Sequence, residues 1–454
     1  MENSVQTNSD RITSGPITGA VFHLAIPVVL GMLMEIALSV TNFFWVGRLG
    51  PAAQDAITSS MVVHWTAFAT LSIITIGLTA LVSRHTGARE PDQAAYYVRQ
   101  GIWMSLFHAS FMVVLGISLT PTLLKFMQTG QETTAMALPY LYIFFIAILP
   151  IAIAEALFAA FRAVGDTRTP MWIMGTTVVV NMILDPVLIF GLGPFPEWGV
   201  KGAAVSTLIS VTLACILISS KVMKGKLGFS LTGWFKQRPD LSAMRKIAKI
   251  GAPITTQAIT FIVVYWFLIR IVHQYGEAAG AAMGIGNRME SISYLTCSGF
   301  SMAAATLVGQ NLGAKNPARA ERCAWISVSM AILVTLVIGA IYVVVPGLIS
   351  GIFTNDPQVH KIASDYLMIL GLSQFTMAIE IVLEGSFSGA GDTMPPMLVS
   401  IPGAVMRVPL AYYLCFDLNW GINGVWWTLT ITTTLKAAAL ALWFRRGKWK
   451  LKKV

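Results

Sequence analysis

Long apolar runs follow one another along the chain of 454 residues, separated by polar or charged residues. Each run lasts about 20 residues or more, the length that an α-helix needs to cross the hydrocarbon core of a bilayer. The runs lack the alternation over about ten residues that a membrane β-strand shows. We predict an all-α integral membrane protein with twelve transmembrane helices, near residues 18–46, 54–83, 95–118, 135–161, 170–192, 200–222, 246–273, 280–308, 320–346, 360–386, 396–416 and 422–444.

Composition identifies the lipid bilayer as the surrounding medium. The chain is 55% hydrophobic and only 11% charged, with a mean hydropathy of +0.69, whereas soluble domains carry about 25% charged residues. The net charge of +10 would suit a nucleic-acid-binding protein. The basic residues, however, lie at the ends of apolar runs and form no basic domain, so we expect no nucleic-acid partner.

The chemistry of metal centres and nucleotide hydrolysis is absent from the sequence pattern. The six histidines are dispersed, and the cysteines have neither metal-ligand spacing nor the pattern of a disulfide framework. No Walker-type glycine loop is present, so ATP is not expected to be the energy source. We expect no enzyme activity, no cofactor and no metal beyond a possible Na⁺. The cysteines, expected to be small buried residues, are Cys215, Cys297, Cys323 and Cys415.

Basic residues between the runs indicate the orientation. Most loop Lys and Arg residues lie on one side of the predicted membrane, which marks that side as cytoplasmic. We predict a multi-pass protein of a prokaryotic inner membrane, with both termini and a basic connector in the cytoplasm. The segment before the first apolar run is polar, and that run is of full spanning length, so no cleaved signal peptide is expected.

Three features of the first half recur in the second half at one shared offset in residue number. Residues 81–94 resemble 307–320, residues 161–171 resemble 387–397, and Pro27 corresponds to Pro253. We predict a duplicated six-helix unit with an N-terminal lobe (1–222), a connector (223–245) and a C-terminal lobe (246–454). Because six is even, both lobes enter the membrane in the same orientation, and their pseudo-two-fold axis follows the membrane normal. This plan favours a transporter, expected to be a monomer.

The repeated segments contain the turns Gly165-Asp166-Thr167 and Gly391-Asp392-Thr393. We expect each turn to end a helix, with the aspartate capping the next one.

The sequence resembles the multidrug and toxic compound extrusion (MATE) family. The motifs that carry the resemblance are Pro27, Val46-Gly47-Arg48-Leu49-Gly50, both Gly-Asp-Thr turns, Asn181-Met182-Ile183-Leu184-Asp185-Pro186 and Gly199-Val200-Lys201-Gly202-Ala203-Ala204. The resemblance covers nearly the whole chain. It implies two lobes of six helices and the export of organic cations against a proton or sodium gradient.

The strongest candidate for ion coupling is Asp185, midway along its predicted helix. An ionised carboxylate at the bilayer centre costs roughly 2.5–3.5 kcal/mol on insertion scales. Asn181 lies one turn earlier on the same face, and Pro186 leaves the Met182 carbonyl without its usual N–H partner. These oxygens suit a proton or a small cation such as Na⁺. The alternative is a protonated aspartate that joins neighbouring helices.

The resemblance implies partners for Asp185. Ala203 and Thr207 match positions that line the family's ion site in the N-terminal lobe. The family usually has an aspartate on helix 1 at the position of Asn42. Glu35, two turns earlier, is a candidate replacement for that carboxylate; otherwise it is a cavity-facing acid with another partner.

A second candidate site lies in the C-terminal lobe. Glu380 and Glu384 are one helical turn apart, and two acids so close cannot both ionise cheaply. They are candidates for proton or cation binding, against the alternative of pairing with Arg407 or Arg288. We expect Glu155 and Arg288-Met289-Glu290 to form structural ion pairs. Lys436 has no acidic partner that the sequence identifies.

We predict a secondary antiporter that exports amphipathic organic cations in exchange for H⁺ or Na⁺. The intramembrane residues singled out, apart from Arg288 and Glu290, are mostly acids, with few bases beyond Arg407 and Lys436. This balance favours cationic cargo over the anionic cargo of the alternative, a flippase for a lipid-linked precursor. The acids are Glu35, Glu155, Asp185, Glu380 and Glu384. The absence of a selectivity-filter sequence argues against a channel. Residues that could line the substrate cavity are Tyr265, Trp266, Met289, Tyr294 and Met302.

Overall fold

The computed structural model describes residues 9–127, 129–231 and 237–452, and every regular element among them is helical. Eleven described helices are long and apolar enough to cross a membrane, and a bent pair of shorter helices brings the count to twelve. The prediction of an all-α membrane protein with twelve spans is confirmed. Residues 232–236 of the predicted connector, together with residues 1–8 and 453–454, lie outside the described ranges.

The chain divides into two compact units. The first, here the N-lobe, comprises Met1–Arg11 and Ile26–Lys249, and the second, here the C-lobe, comprises Ile12–Ala25 and Ile250–Val454. The first half of the chain forms α1 (Ile17–Gly47), α2 (Pro51–Gly87), α3 (Pro91–Phe126), α4 (Gln131–Ala163), α5 (Arg168–Phe190) and α6 (Gly199–Met223). Helices α1 and α7 each have residues in both units.

The second half begins with α7 (Leu241–His273), α8 (Glu277–Gly313), α9 (Pro317–Val344) and a short α10 (Pro346–Phe353) that the apolar pattern did not indicate. It continues with α11 (Pro357–Gly371), α12 (Gln374–Ala390), α13 (Met394–Val405) and α14 (Arg407–Tyr412), and the π-helical turn Tyr413–Asp417 completes the span that begins at Met394. The last span is α15 (Asn423–Arg445).

The duplication is visible in the backbone of the turns. Left-handed backbone is uncommon at a residue other than glycine, yet both Arg89 (φ 60°) and Lys315 (φ 57°), which correspond under the repeat offset, adopt it. The two halves therefore preserve the same turn geometry although the side chains differ. Corresponding residues that both have positive φ are Gly50 and Gly276, Arg89 and Lys315, Gly165 and Gly391, and Gly193 and Asn419.

The two Gly-Asp-Thr turns differ in what their aspartates bind. Asp166 accepts the backbone N–H of Thr169 at 3.0 Å, as expected for a cap. The residue that corresponds to Thr169 in the second half is Pro395, which has no N–H. Asp392 pairs instead with Lys452, whose Nζ lies 3.0 Å away. The capping prediction is therefore wrong at the second turn, because proline has no backbone N–H for Asp392 to accept.

The span predicted as one helix over 360–386 is broken. Helices α11 and α12 meet at an angle of 55°. At the break the N–H of Ser373 donates to the Leu370 carbonyl at 3.0 Å, a tighter i to i−3 bond. Gly371 also lies so close to α9 that a Cβ there would sit 2.8 Å from the Gly339 carbonyl oxygen. The prediction of a continuous helix is wrong here because these tertiary contacts are absent from the apolar pattern.

Helix α12 packs on α8 through two glycines one turn apart. A Cβ at Gly385 would lie 2.3 Å from the Ser301 carbonyl oxygen, and one at Gly389 would lie 2.1 Å from that of Ala305. Small residues four positions apart allow the backbones of membrane helices to approach closely. This contact positions α12, which carries Glu380 and Glu384.

The end of the connector is bound to α3 of the N-lobe. The buried amide of Gln100 donates to the Arg238 carbonyl at 3.2 Å and accepts the N–H of Asp240 at 2.8 Å. Hydrogen bonds from the Tyr96 hydroxyl and the Ser242 N–H lower the pKa of Asp240. The described end of the connector is thus held by specific polar contacts with α3.

Gly389→Leu is expected to lower the free energy of unfolding by about 1–3 kcal/mol, because its side chain would displace the Ala305 backbone. Thermal unfolding in detergent measures the change. The matched control is Gly284→Leu, since a Cβ at Gly284 on α8 meets nothing within 4 Å. Equal loss of stability in the two variants would contradict the close α8–α12 packing.

Gln100→Ala is expected to speed hydrogen exchange in the segment 237–245 about fivefold, because the connector loses two hydrogen bonds. Mass spectrometry of exchanged peptides provides the measurement. Gln93→Ala, at an exposed position on the same helix, is the control and should leave the exchange unchanged. An unchanged rate in Gln100→Ala would show that these bonds do not hold the connector.

Candidate functional site

Asp185 is fully buried within the N-lobe, and its partners are neutral. The hydroxyl of Ser206, on α6, donates to Asp185 Oδ1. No Lys, Arg or His among residues 9–127, 129–231 and 237–452 forms an ion pair with this carboxylate. Because an isolated charge in an apolar interior is costly, the site requires a proton or an external cation for neutrality.

Ser206 has two alternative acceptors. Its hydroxyl oxygen lies 2.9 Å from the Ala203 carbonyl as well as within hydrogen-bond distance of Asp185. A hydroxyl has one proton to donate but can also accept. When Asp185 is ionised, Ser206 donates to it; when Asp185 is protonated, Ser206 can accept from it and donate to Ala203. The helix therefore provides a partner for either state.

Two amides complete the N-lobe site. The amide groups of Asn42, on α1, and Asn181, on α5, meet at 3.0 Å. With the Asn42 amide turned to donate, its nitrogen bonds Asn181 Oδ1 and Asp185 Oδ2. Asn181 then directs its own nitrogen to Ser206 at 3.3 Å and Thr207 at 3.5 Å. An amide at position 42 can donate where a second carboxylate would repel Asp185.

The oxygen atoms of this site suit a proton or a hard monovalent cation. They include the carboxylate, amide oxygens, two hydroxyls and the Ala203 carbonyl. In the part of the chain that the structure describes, no group of three or more His, Cys, Asp or Glu could hold a metal ion. One carboxylate with neutral oxygens can balance one positive charge, so H⁺ or Na⁺ fits better than a divalent ion.

Glu35 lies away from Asp185. Its side chain is exposed, and its charged neighbours are Glu155 and Arg162. Arg162 Nη2 lies 3.5 Å from Glu155 Oε2, so the ion pair expected for Glu155 is formed with Arg162. The described residues provide no hydrogen bond between Glu35 and Asp185. This placement matches the alternative of a separate acid with its own neighbours.

Sequence reasoning missed Ser206, Tyr140 and His64. Tyr140 lies within electrostatic range of Asp185 and 3.5 Å from His64 Nε2. His64 Nδ1 lies 2.8 Å from the Ser60 carbonyl, so Nδ1 carries a hydrogen and Nε2 can accept from Tyr140. The available signal was helical spacing, since Ser206 follows Ala203 by three positions on α6. Tyr140 and His64 are distant in sequence and gave no such signal.

In the C-lobe, a base pairs with one of the two candidate acids. Lys436 Nζ, on α15, forms a buried ion pair with Glu380 Oε1 on α12. Glu384, one turn later, instead accepts from Gln257 Nε2 at 2.6 Å and from the Ser400 hydroxyl at 2.9 Å. The structure thus identifies Glu380 as the partner of Lys436. Neither Arg407 nor Arg288 forms the ion pair with Glu380 that the alternative predicted.

Arg407 binds hydroxyl groups rather than a carboxylate. Its Nε donates to Thr432 at 3.0 Å and its Nη2 to Thr433 at 3.1 Å, while the guanidinium lies 5.5 Å from the ring centre of Phe261. Glu290 lies within electrostatic range of Arg407, Lys436 and Glu380. Arg288 is exposed and forms no ion pair with Glu290 among the described residues, so that expected pair is not found.

The Arg407 contacts repeat those of the N-lobe site with a different charge. In the N-lobe an amide nitrogen approaches two adjacent hydroxyls, and in the C-lobe a guanidinium approaches two adjacent hydroxyls. The C-lobe copy has alanine in place of the aspartate. Positions that correspond under the repeat offset are Asn181 and Arg407, Asp185 and Ala411, Ser206 and Thr432, Thr207 and Thr433, and Tyr140 and Tyr366.

The five predicted cavity residues have different surroundings. Tyr265 accepts a hydrogen bond from Asn287, and the Met289 carbonyl accepts one from Tyr342 at 2.7 Å. Trp266 and Tyr294 are more than half exposed. Met302 is partly buried. Tyr265 and Met289 are half-buried and take part in hydrogen bonds, Met289 through its main chain, whereas Trp266 and Tyr294 present aromatic surface.

Comparison with known proteins agrees with the duplication. The MatE family model matches residues 27–187 and again residues 253–413. A Thermotoga maritima protein, "Probable multidrug resistance protein NorM", is 29% identical over 439 residues, covering 95% of this chain and 93% of that protein. The "FAD transporter" of Shewanella oneidensis is 25% identical, covering 94% of each chain.

Solved structures share the fold. One, titled "Outward-facing conformation of a multidrug resistance MATE family transporter of the MOP superfamily", is similar with a TM-score of 0.90 and 21% identity, covering 98% of each chain. A MOP superfamily transporter from Pyrococcus furiosus is equally similar, with a TM-score of 0.90 and 98% coverage of each chain. Its structure is described as showing "Reverse polarity of binding pocket".

Lys436→Met is expected to destabilise the protein by about 3–5 kcal/mol in sodium-free buffer, because Glu380 is left as a buried charge without its partner. The double variant Glu380→Gln/Lys436→Met should retain most of the stability, since it leaves no isolated charge. Thermal unfolding in detergent compares the two variants. Equal losses would indicate that Glu380 is not ionised beside Lys436.

Proposed function

The chain belongs to the MATE family of membrane transporters, and we propose that it is a secondary antiporter exporting amphipathic organic cations in exchange for H⁺ or Na⁺. We place it in a prokaryotic inner membrane, as a monomer with both termini in the cytoplasm. Its N-terminal lobe supplies the coupling site, formed by Asp185 with Asn42, Asn181, Ser206 and Thr207.

One observation carries the proposal: a fully buried carboxylate surrounded only by neutral hydrogen-bond partners. Structural acids in hydrocarbon are usually paired with bases, as Glu380 is with Lys436. Asp185 lacks such a partner among the described residues, so its charge must be balanced by a proton or cation from solution. This property is required of a coupling site, where the acid must exchange its proton or cation with the solution.

Ion occupancy can be communicated to the helices through Ser206. When Asp185 is protonated, it donates a hydrogen bond to Ser206 instead of accepting one. The Ser206 hydroxyl can then donate to the Ala203 carbonyl. Asn42 can still donate to Oδ2, because a carboxyl group protonated on Oδ1 keeps Oδ2 as an acceptor. Coupling follows if ion and cargo favour different conformations of these helices.

The charges of the C-lobe support a cationic cargo. Among the described residues, two bases, Arg407 and Lys436, lie within electrostatic range of the acids Glu290, Glu380 and Glu384. The cluster therefore has one surplus acid when all its groups are ionised. A monovalent organic cation or a single proton would neutralise it, and aromatic surface at Trp266 or Tyr294 would suit an amphipathic ligand.

The second candidate is a flippase for a lipid-linked precursor, which would carry an anionic head group. Arg407, held by hydroxyls rather than by a carboxylate, is the observation that favours it. The name of the Shewanella oneidensis relative likewise assigns that protein an anionic cargo. Competition between a cationic dye and FAD or a lipid diphosphate, in the efflux assay described next, separates the two functions.

Asp185→Asn is expected to reduce gradient-driven dye efflux at least about a hundredfold, because the amide cannot take up a proton or balance a cation. The assay follows ethidium in proteoliposomes under an imposed pH or sodium gradient. Asp92→Asn, an exposed acid in the first turn of α3, is the matched control and should transport normally.

Normal efflux by Asp185→Asn would show that Asp185 is not part of the coupling site. If efflux by the unaltered protein depended on neither gradient, antiport would be excluded. The gradient that does drive efflux identifies the coupling ion as H⁺ or Na⁺.

A further inference from the structure

Lys436 is a buried base in the C-lobe, and it has no role in the coupling site proposed for the N-lobe. Its ammonium group lies against Glu380, and both side chains are less than a tenth exposed. An ammonium group on a carboxylate occupies the position that a free monovalent cation would take. Because it is tethered to α15, its local concentration at Glu380 far exceeds that of any ion in solution.

Arg407 places a second fixed cation in the same lobe. It stands at the C-lobe position that corresponds to Asn181, and it keeps the contacts of that position with two hydroxyls. The corresponding acid is replaced by Ala411. The C-lobe copy of the coupling site therefore has a permanent positive charge where the N-lobe must import one, and a metal cation there would be repelled.

Glu384 has hydrogen-bond partners for both of its protonation states. When ionised, its Oε1 accepts from Gln257 and Ser400. The buried Gln257 Oε1 has no hydrogen-bond partner among the described residues. After the amide turns, it could accept a hydrogen bond from a protonated Glu384. Other titratable neighbours are Glu380, Lys436 and Tyr294.

We propose that Lys436 determines the ion specificity of the C-lobe: its ammonium group fills the cation position at Glu380, closes this lobe to Na⁺ and leaves a proton at Glu384 as the ion that the lobe can exchange. The inference rests on the proposed antiport function for its physiological meaning. Its physical content, exclusion of Na⁺ by a tethered cation, is independent of transport.

The test uses the full chain in detergent, with Asp185→Asn in every variant to remove the N-lobe carboxylate. Lys436→Met frees Glu380, Lys436→Arg retains a cation there, and Glu380→Gln/Lys436→Met removes both charges. Radioactive sodium measures binding directly. The unfolding temperature is also followed as NaCl replaces an equal concentration of choline chloride.

Among these variants, Na⁺ is expected to bind Lys436→Met alone, with an affinity at least about tenfold above the detection limit set by the others, and to raise the unfolding temperature of that variant alone. A folded Lys436→Met variant with the same Na⁺ affinity as Lys436→Arg would overturn the proposal.

A measurement on Asp185→Asn with Lys436 intact keeps the proposal testable even if Lys436→Met does not fold. No Na⁺ binding is expected there. Binding that disappears in Glu380→Gln/Lys436→Met would place Na⁺ at Glu380 beside Lys436 and refute the exclusion. Since neither readout needs transport, failure of gradient-driven efflux would reject the antiport function while leaving this result to be judged separately.

Discussion

A charge buried in a membrane protein must be balanced within the protein or by an ion that enters with it. Hydrocarbon offers no water to solvate an isolated carboxylate. This constraint organises both lobes, because each encloses acidic side chains among packed helices. The lobes meet it in different ways: the N-lobe leaves Asp185 with neutral partners, whereas the C-lobe supplies Lys436 to Glu380.

Duplication preserved the backbone more closely than the charges. Left-handed turns recur at Arg89 and Lys315, where side-chain identity is unimportant to the turn. The contact between Asn181 and two adjacent hydroxyls also recurs, but with Arg407 in place of the amide. Fold is conserved by packing and hydrogen bonds of the main chain, so the buried side chains can diverge toward different electrostatic roles. The two copies thereby differ in charge: the N-lobe has an aspartate with neutral partners, and the C-lobe has Arg407 with an alanine in place of that aspartate.

Partners that can both donate and accept are concentrated at the candidate sites. Ser206 stands between Asp185 and the Ala203 carbonyl. The amide nitrogen of Gln257 donates to Glu384, and a turn of that amide would present its oxygen instead. Such groups keep a carboxyl group hydrogen-bonded in both protonation states, which lowers the cost of changing state inside the bilayer. A fixed cation such as Lys436 offers the opposite property, since it stabilises only the ionised acid.

The sequence by itself determined the helical class, the number of spans and the duplication, and it predicted Asp185 as the candidate coupling acid. Apolar run length, the constant offset between the repeated segments and the rarity of acids in membrane helices are local or periodic properties, and they survive without knowledge of packing. Only the tertiary structure decided the break between α11 and α12, the Ser206 partner of Asp185 and the pairing of Lys436 with Glu380. Those features depend on which residues of distant helices meet. Lys436 and Glu380 are 56 positions apart in sequence, and no periodicity along one helix reports that their side chains share a buried contact.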